Sequence, residues 1–200
     1  MSSKALHGVK VFKQGTGLYA SNFNLRSDTE AYLLYYPQKP IVRTKMDTIT
    51  GFLERPFSQN FVVAILPYYG FNQQDALVLN KGAVDRGLGR VAYYRTYSAE
   101  ENYYPSGQKD VFTIPNEDVE SYKGDDAYKA LGEDGLAEPE FYITKDMVVI
   151  GRVSPPKYLE EISEFGLVGE KKRDGSVGIR KSDEGYVDTV FIMPGEANNK

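Results

Sequence analysis

The chain contains no cysteine, no tryptophan and one histidine, His7. Without cysteine there is no disulfide and no Cys-based zinc site, and nothing argues for secretion. A lone imidazole leaves no histidine pair for a metal, and His7 reads as an ordinary polar residue. No run approaches the ~18–20 consecutive apolar residues of a membrane span, and the opening MSSKALHGVKVF lacks the apolar stretch of a secretory signal. The expectation is a soluble, cytoplasmic chain with no membrane contact. Phosphate-binding Gly-rich loops of the Walker type, nucleophile elbows, internal repeats and low-complexity tracts are also missing, so the common signatures of nucleotide hydrolysis, serine hydrolysis and repeat architectures are not present.

What is present is aromatic and unevenly charged. Sixteen tyrosines and ten phenylalanines among 200 residues favour strands over helices, and this length makes one or two domains. The net charge of −4 conceals a division: residues 1–98 carry 12 Lys+Arg and 6 Asp+Glu, net +6, whereas residues 99–200 carry 12 and 22, net −10. A basic first half suits a sugar-phosphate backbone, and the same imbalance also serves to keep a surface solvated. The acidic half suits a different partner.

In the first half, Lys4, His7, Lys10 and Lys13-Gln14 precede Gly15 and Gly17, where the backbone can approach another surface closely, and a strand is expected at Leu18–Asn22. Alternation around Tyr32, Leu34 and Tyr36 predicts a half-buried strand that Pro37 ends. Tyr-Pro-Gln-Lys-Pro then reads either as a rigid strand exit or as a polyproline-type ligand. Arg26, Arg43, Lys45 and Arg55 recur with few acids between them, as a groove following a nucleic-acid backbone or as solvated strand edges.

Between Phe61 and Gly89, FVVAILPYYGFNQQDALVLNKGAVDRGLG, two short apolar runs, Phe61–Leu66 and Ala76–Leu79, predict buried strands flanking a turn. That turn places Asp75 at the edge of a sheet, where a carboxylate calls for a cation, a metal or backbone N–H groups around it. Its other reading is a turn carboxylate accepting backbone N–H groups near Asn72. Asn80 predicts a cap for a helical turn over Lys81–Arg86, ended by Gly87 and Gly89. A domain boundary is expected after Arg90. Beyond it, Val91–Tyr97 predicts a strand, Asp125 or Asp126 the cap of a helix reaching Leu131, and Met147–Val153 a buried strand. Tyr158, Leu159, Ile162 and Phe165 predict a two-turn helix, and Gly175–Arg180 and Tyr186–Met193 a pair of strands.

GFNQQDALVLNKGAVDRGL resembles the signature of the second-largest, beta-type subunit of multisubunit DNA-directed RNA polymerases, in the archaeal-like form. LYASNFNLRSDTEAYLLYYPQKPIV, GQKDVFTIPNEDV, DGLAEPE, VVIGRVSPPKYLEE and RDGSVGIRKSDEGYVDTV agree in the family's order and near its spacing. The resemblance implies a mostly β protein with short helices: a partial barrel-like hybrid-binding domain at residues 1–90 and a wall or flap-like domain at 91–200. It implies a nucleotidyltransferase subunit active only in the assembled complex, an internal segment of a longer polypeptide. Lys4, Lys13 and Gln14 would bear on the triphosphate and the RNA 3′ end, and Asp75 with Gln74 on the nucleotide-associated magnesium, directly or through water. Arg26, Arg43 and Lys45 would follow the hybrid backbone.

Gln74 stands where the family pattern has Glu, and Lys4 where it has Arg; the first change removes a negative charge and the second the planar phosphate-gripping fork. The resemblance implies that the primary magnesium is held by an aspartate trio of the largest subunit and so is shared with it, in keeping with the lack of an Asp-x-Asp-x-Asp run here, and that no zinc belongs to this segment. Implied partners are the largest and other polymerase subunits, template DNA, the RNA transcript, nucleoside triphosphates and, at the wall, initiation factors. A reading from another class is an autonomous, non-catalytic module that binds nucleic acid through its basic half and protein through its acidic half.

Overall fold

Ten short strands and three short helices are found in the computed structural model, which describes residues 14–16, 20–104, 107–156 and 171–194. The chain divides into two compact units, Met1–Thr96 and Tyr97–Lys200. Both are mostly β with short helices, and among the described residues no sheet closes on itself. No helix of the described residues is long and apolar enough to cross a membrane.

The first unit is built on a three-stranded sheet. β1 (Gln14–Thr16) runs parallel to β2 (Glu30–Leu34), and β3 (Val91–Arg95) runs antiparallel along the other side of β2. Aromatic cross-strand pairing sets the register: Tyr32 lies opposite Tyr93 with ring centroids 5.0 Å apart, and Ala31, opposite Tyr94, is buried. At the end of the ladder Glu30 faces Arg95 across a 3.0 Å ion pair. The sequence places β3 beyond the boundary expected after Arg90; its five pairs with β2 bring it into the first unit.

β2 ends at Leu34, three residues before the Pro37 expected to end it, and the Tyr-Pro-Gln-Lys-Pro stretch that follows is a rigid exit held by a second segment. The Gln38 N–H donates to the Ser58 carbonyl (2.7 Å), the Asn60 amide donates to the Lys39 carbonyl (2.9 Å), and the Gln59 amide donates to the Tyr36 carbonyl (2.9 Å). Between these segments lies α1 (Lys45–Ile49), whose Thr44 N–H donates to the Asp47 carboxylate at 2.6 Å. That reciprocal cap satisfies a donor the helix cannot pair internally. Residues 20–22 form no strand; the rest of the strand expected at Leu18–Asn22 lies outside the described residues.

Phe61–Leu66 and Ala76–Leu79 correct the sequence reading. Neither is a strand and neither is buried: Val62 is 104% exposed, Ile65 97% and Leu77 85%. Apolar, β-branched composition favours a strand only when a neighbouring strand supplies ladder hydrogen bonds and a cover for the side chains. Among the described residues nothing pairs with residues 61–65 or 77–79.

The second unit carries the better-covered core. Ala127, Tyr128, Leu131, Ala137 and Val148 form a buried cluster, with Tyr122, Val149 and Val187 against it. Around it β4 (Val111–Phe112) pairs with β7 (Arg152–Ser154), which pairs with β8 (Arg173–Asp174). β6 (Val148–Ile150) pairs with β9 (Val177–Gly178), and β5 (Tyr142–Ile143) with β10 (Gly185–Tyr186).

The single strand expected at Met147–Val153 is therefore two, because its halves join different sheets. At the break, a Cβ on Gly151 would lie 2.5 Å from the Thr113 carbonyl oxygen, so only glycine fits. The segments Gly175–Arg180 and Tyr186–Met193 do not pair with one another; β9 and β10 each find a partner earlier in the chain. α3 (Asp125–Tyr128) starts from Gly124 at the cap, with Asp125 and Asp126 in its first turn, where carboxylates favour the positive end of the helix dipole. The helix expected over Tyr158–Phe165 lies outside the described residues.

Candidate functional site

Three successive turns, over residues 68–71, 70–73 and 73–76, present the acid singled out in the sequence. The first turn closes with the Phe71 N–H donating to the Tyr68 carbonyl (2.9 Å), and it is continued by the Gln73 N–H donating to Gly70 (3.2 Å) and the Ala76 N–H donating to Gln73 (3.3 Å). Asn72 is the clamp: its Oδ1 accepts the Tyr68 N–H at 2.8 Å, and its Nδ2 donates to the Leu66 carbonyl at 2.7 Å. An Asx side chain performing this role is a standard turn device. Asp75 accepts no hydrogen bond from any described residue and is exposed. Asn72, rather than Asp75, satisfies the turn backbone.

Gln74, beside Asp75, has φ +60°, a left-handed conformation that non-glycine residues adopt at a cost. After the second apolar run, α2 (Lys81–Asp85) begins where the sequence predicts. Asn80 caps it, its Oδ1 accepting the Ala83 N–H at 3.0 Å. Gly87 (φ +104°) then lets the chain pass the Tyr36 ring, which a Cβ there would meet at 2.4 Å. Gln59 ties the neighbouring segments: its Oε1 accepts the Gly89 N–H at 2.8 Å while its Nε2 holds the Tyr36 carbonyl. Asn72 and Gln59 are the positioning residues that sequence reasoning missed. Asn72 had a local signal in Gly-Phe-Asn; the partners of Gln59, 23 and 30 residues away, gave none.

The other expected site residues fall on separate elements. Gln14 opens β1, its backbone in register with Glu30; Lys4 and Lys13 lie outside the described residues. Arg26 is committed to Asp28 through two contacts, 3.0 and 3.1 Å. Arg43 and Lys45 are exposed around the start of α1. No hydrogen bond or ion pair between described residues joins Arg26, Arg43 or Lys45 to Asp75 or Gln74.

As a metal donor set, Asp75 and Gln74 supply one carboxylate and one neutral amide. Magnesium takes oxygen ligands and keeps several waters, so this pair fits one position of a shared shell, directly or through water, and does not make a cage. Among the described residues there is no cluster of three metal-ligating side chains.

In the second unit Asp110 and Asp174 are closed into networks. Asp110 is fully buried; burial pushes its pKa up, but hydrogen bonds from Ser154, Asn102 and Tyr104 outweigh this and leave the carboxyl below its ordinary value. Arg152 approaches it at 3.6 Å. Asp174 is likewise held below its ordinary value: burial raises it, and Ser176, the Tyr128 hydroxyl (2.9 Å) and Lys123 (3.3 Å) more than offset that. Such saturated carboxylates have no lone pair aimed at a substrate, and they hold the fold together.

The profile of the family described as RNA polymerase Rpb2, domain 6, matches residues 1–200. The chain belongs to this family. The Rpb2 domain 6 chain is 42% identical over 188 residues to the DNA-directed RNA polymerase subunit Rpo2 of Sulfolobus acidocaldarius, which covers 94% of this chain and 17% of that subunit. It is 39% identical over 180 residues to the DNA-directed RNA polymerase II subunit RPB2 of Encephalitozoon cuniculi, 90% of this chain and 16% of that protein. The RPB2 subunit of Schizosaccharomyces pombe is 35% identical over 189 residues. The Rpb2 domain 6 chain thus spans about a sixth of the length of these relatives, and the polymerase-type resemblance drawn from its motifs holds at the level of the family.

Proposed function

We propose that this chain works as part of a beta-type subunit of a DNA-directed RNA polymerase, contributing to template-directed nucleotidyl transfer only within the assembled enzyme. The observation that carries the reading is the match of an archaeal polymerase subunit to 94% of the chain at 42% identity. The exposed turn supports the finer assignment, because it offers Asp75 without spending the carboxylate on its own backbone.

In this reading the first unit belongs to a hybrid-binding domain, which takes in β3 beyond the boundary expected after Arg90, and the second unit to a wall. Asp75, with Gln74 beside it, contributes one oxygen position to the magnesium that accompanies the incoming triphosphate; when bound, that ion stabilises charge on the phosphates. Lys4, Lys13 and Gln14 face the triphosphate and the RNA 3′ end. Arg43 and Lys45, exposed and outside any ion pair between described residues, follow the hybrid backbone. Arg26 serves there less, since Asp28 already neutralises it. The partners are the largest and other polymerase subunits, template DNA, transcript and nucleoside triphosphates, with initiation factors at the acidic wall.

The test is Asp75→Asn in a polymerase assembled with this chain. The magnesium concentration giving half-maximal nucleotide addition is expected to rise about tenfold, the scale on which outer-shell partners tune metal affinity. An unchanged titration overturns the assignment of Asp75. The autonomous-module reading is opposed by the apolar surface of the first unit, which an independent soluble module would be expected to cover.

A further inference from the structure

The second unit holds a hollow of about 440 Å³ whose wall is partly apolar and partly anionic: Ile114, Pro115 and Tyr122 supply the first character, Glu117 and Asp125 the second. The fold fixes these walls. Pro115 and Val119 are buried, and the Val119 N–H donates to the Asn116 carbonyl (3.1 Å), closing the turn that bears Glu117. The Tyr122 ring is stacked on the buried Tyr128 ring, with centroids 5.3 Å and planes 20° apart, and its hydroxyl donates to Asp125. Charge around the hollow is unbalanced. From Asn116 to Asp126 the acids are Glu117, Asp118, Glu120, Asp125 and Asp126, and the one cation is Lys123. Lys123 is paired with Asp174 at 3.3 Å, and Lys129, at the rim, with Asp126. Glu117 makes no hydrogen bond or ion pair with its side chain to a described residue. Tyr122 registers the resulting field: its phenol is pushed up to about 12, first by the hydrogen bond to Asp125, then by burial and by the charges of Asp125 and Glu117.

We propose that this hollow is a docking site for an arginine side chain of a partner protein, with the guanidinium on the Tyr122 ring and its N–H groups toward Glu117 and Asp125. Charge selects a cation: a phosphate backbone is repelled by a half of the chain that carries a net −10. A bare divalent ion calls for several oxygen ligands converging on one point, and no cluster of three metal-ligating side chains occurs among the described residues. Shape selects arginine over lysine. A compact ammonium answers the charge alone, whereas a planar guanidinium also stacks on an aromatic face and grips carboxylates through paired N–H groups. Its aliphatic stem then covers Ile114 and Pro115, as long cationic side chains do on apolar surface. Volume points the same way, since the hollow admits one long side chain and its immediate neighbours and not a folded element. The site goes beyond the polymerase reading, because it uses neither Asp75 nor any other residue of the first unit.

The experiment titrates the isotope-labelled 200-residue chain with the blocked peptide acetyl-Gly-Arg-Gly-amide and follows backbone amides by NMR. Saturable shifts confined to residues 114–129 are expected, with half-saturation on the order of 1–10 mM, the scale of a single anchoring side chain. The citrulline peptide, which keeps the shape and loses the charge, is expected to need at least about tenfold more, and the lysine peptide about threefold more. Glu117→Gln and Tyr122→Leu are each expected to raise half-saturation about fivefold. Unchanged amide exchange at Ala137 and Val148, in the core, shows that a variant still folds; Glu117 is exposed, so E117Q decides the matter if the Tyr122 variant does not fold. Shifts that fail to saturate, that spread over other acidic surfaces, or that are the same for the citrulline peptide or in E117Q overturn the proposal. So does an equal response to the lysine peptide, which would mark a diffuse acidic face, or movement of the same amides by oligouridylate, which would make the hollow a nucleic-acid site. The readout involves neither RNA synthesis nor magnesium, so this result and the assignment of Asp75 stand or fall separately.

Discussion

Asp75, in a turn, and Asp174, in β8, are both carboxylates, yet their surroundings give them opposite roles. Asp75 is exposed because Asn72 has taken over the bonds of its turn, whereas Asp174 is saturated by Tyr128, Lys123 and Ser176. Replacing Asp174 with Asn removes the charge that these donors face and is expected to cost about 2–4 kcal/mol, the range for disturbing a buried, hydrogen-bonded charge. Urea unfolding followed by circular dichroism measures it. Gly87→Ala is expected to cost about 1–3 kcal/mol in the same measurement, since φ +104° and a Tyr36 ring atom 2.4 Å from the new Cβ act together. Gly87 was legible from its place after a capped turn. Asp174 was not, because its partner Tyr128 lies 46 residues earlier and no local pattern links them.

Elements whose determinants lie within one turn of chain came out as their residues suggest. α2 follows Asn80 because the cap and the N–H it satisfies are three residues apart. Asn80→Ala is expected to cost about 1 kcal/mol and to speed exchange at Ala83. Asn72→Ala should speed exchange at Tyr68 and leave α2 untouched, since the bonds it removes are confined to Leu66–Asn72; an unchanged Tyr68 amide would show that the turn holds without its clamp. Strands behaved otherwise. β2 formed because Val91–Arg95 lies alongside it, and Met147–Val153 split because its halves answer to different neighbours. Phe61–Leu66 has the same apolar character as a core strand, but no described strand pairs with it, and its side chains are exposed.

At the scale of the whole molecule, pH separates the second unit's stability from the first unit's proposed chemistry. Asp110 and Asp174 have folded pKa values below their ordinary ones. Their contribution is therefore complete above the ordinary carboxylate range near pH 4 and is lost as pH falls through and below it. The urea midpoint of the second unit should stay level from about pH 5 to 8 as far as these groups contribute, then fall, and fall less steeply when Asp110 and Asp174 are both Asn. Tyr128 gives the alkaline counterpart: burial first, and then Asp174, push its pKa to about 12. The neutral phenol is the form the fold favours, so its contribution is whole below about pH 10 and is lost as pH rises toward 12; tyrosinate absorbance and unfolding should rise together there. The amino-acid sequence by itself determined the family, the β-rich composition, the division of charge, the capped turn and the candidate acid, because these depend on residue identity and on interactions a few positions apart. Tertiary structure alone decided which apolar runs are covered, which strand pairs with which, and which acids are saturated, because burial and ladder bonding require a partner surface whose place in the chain no local pattern encodes.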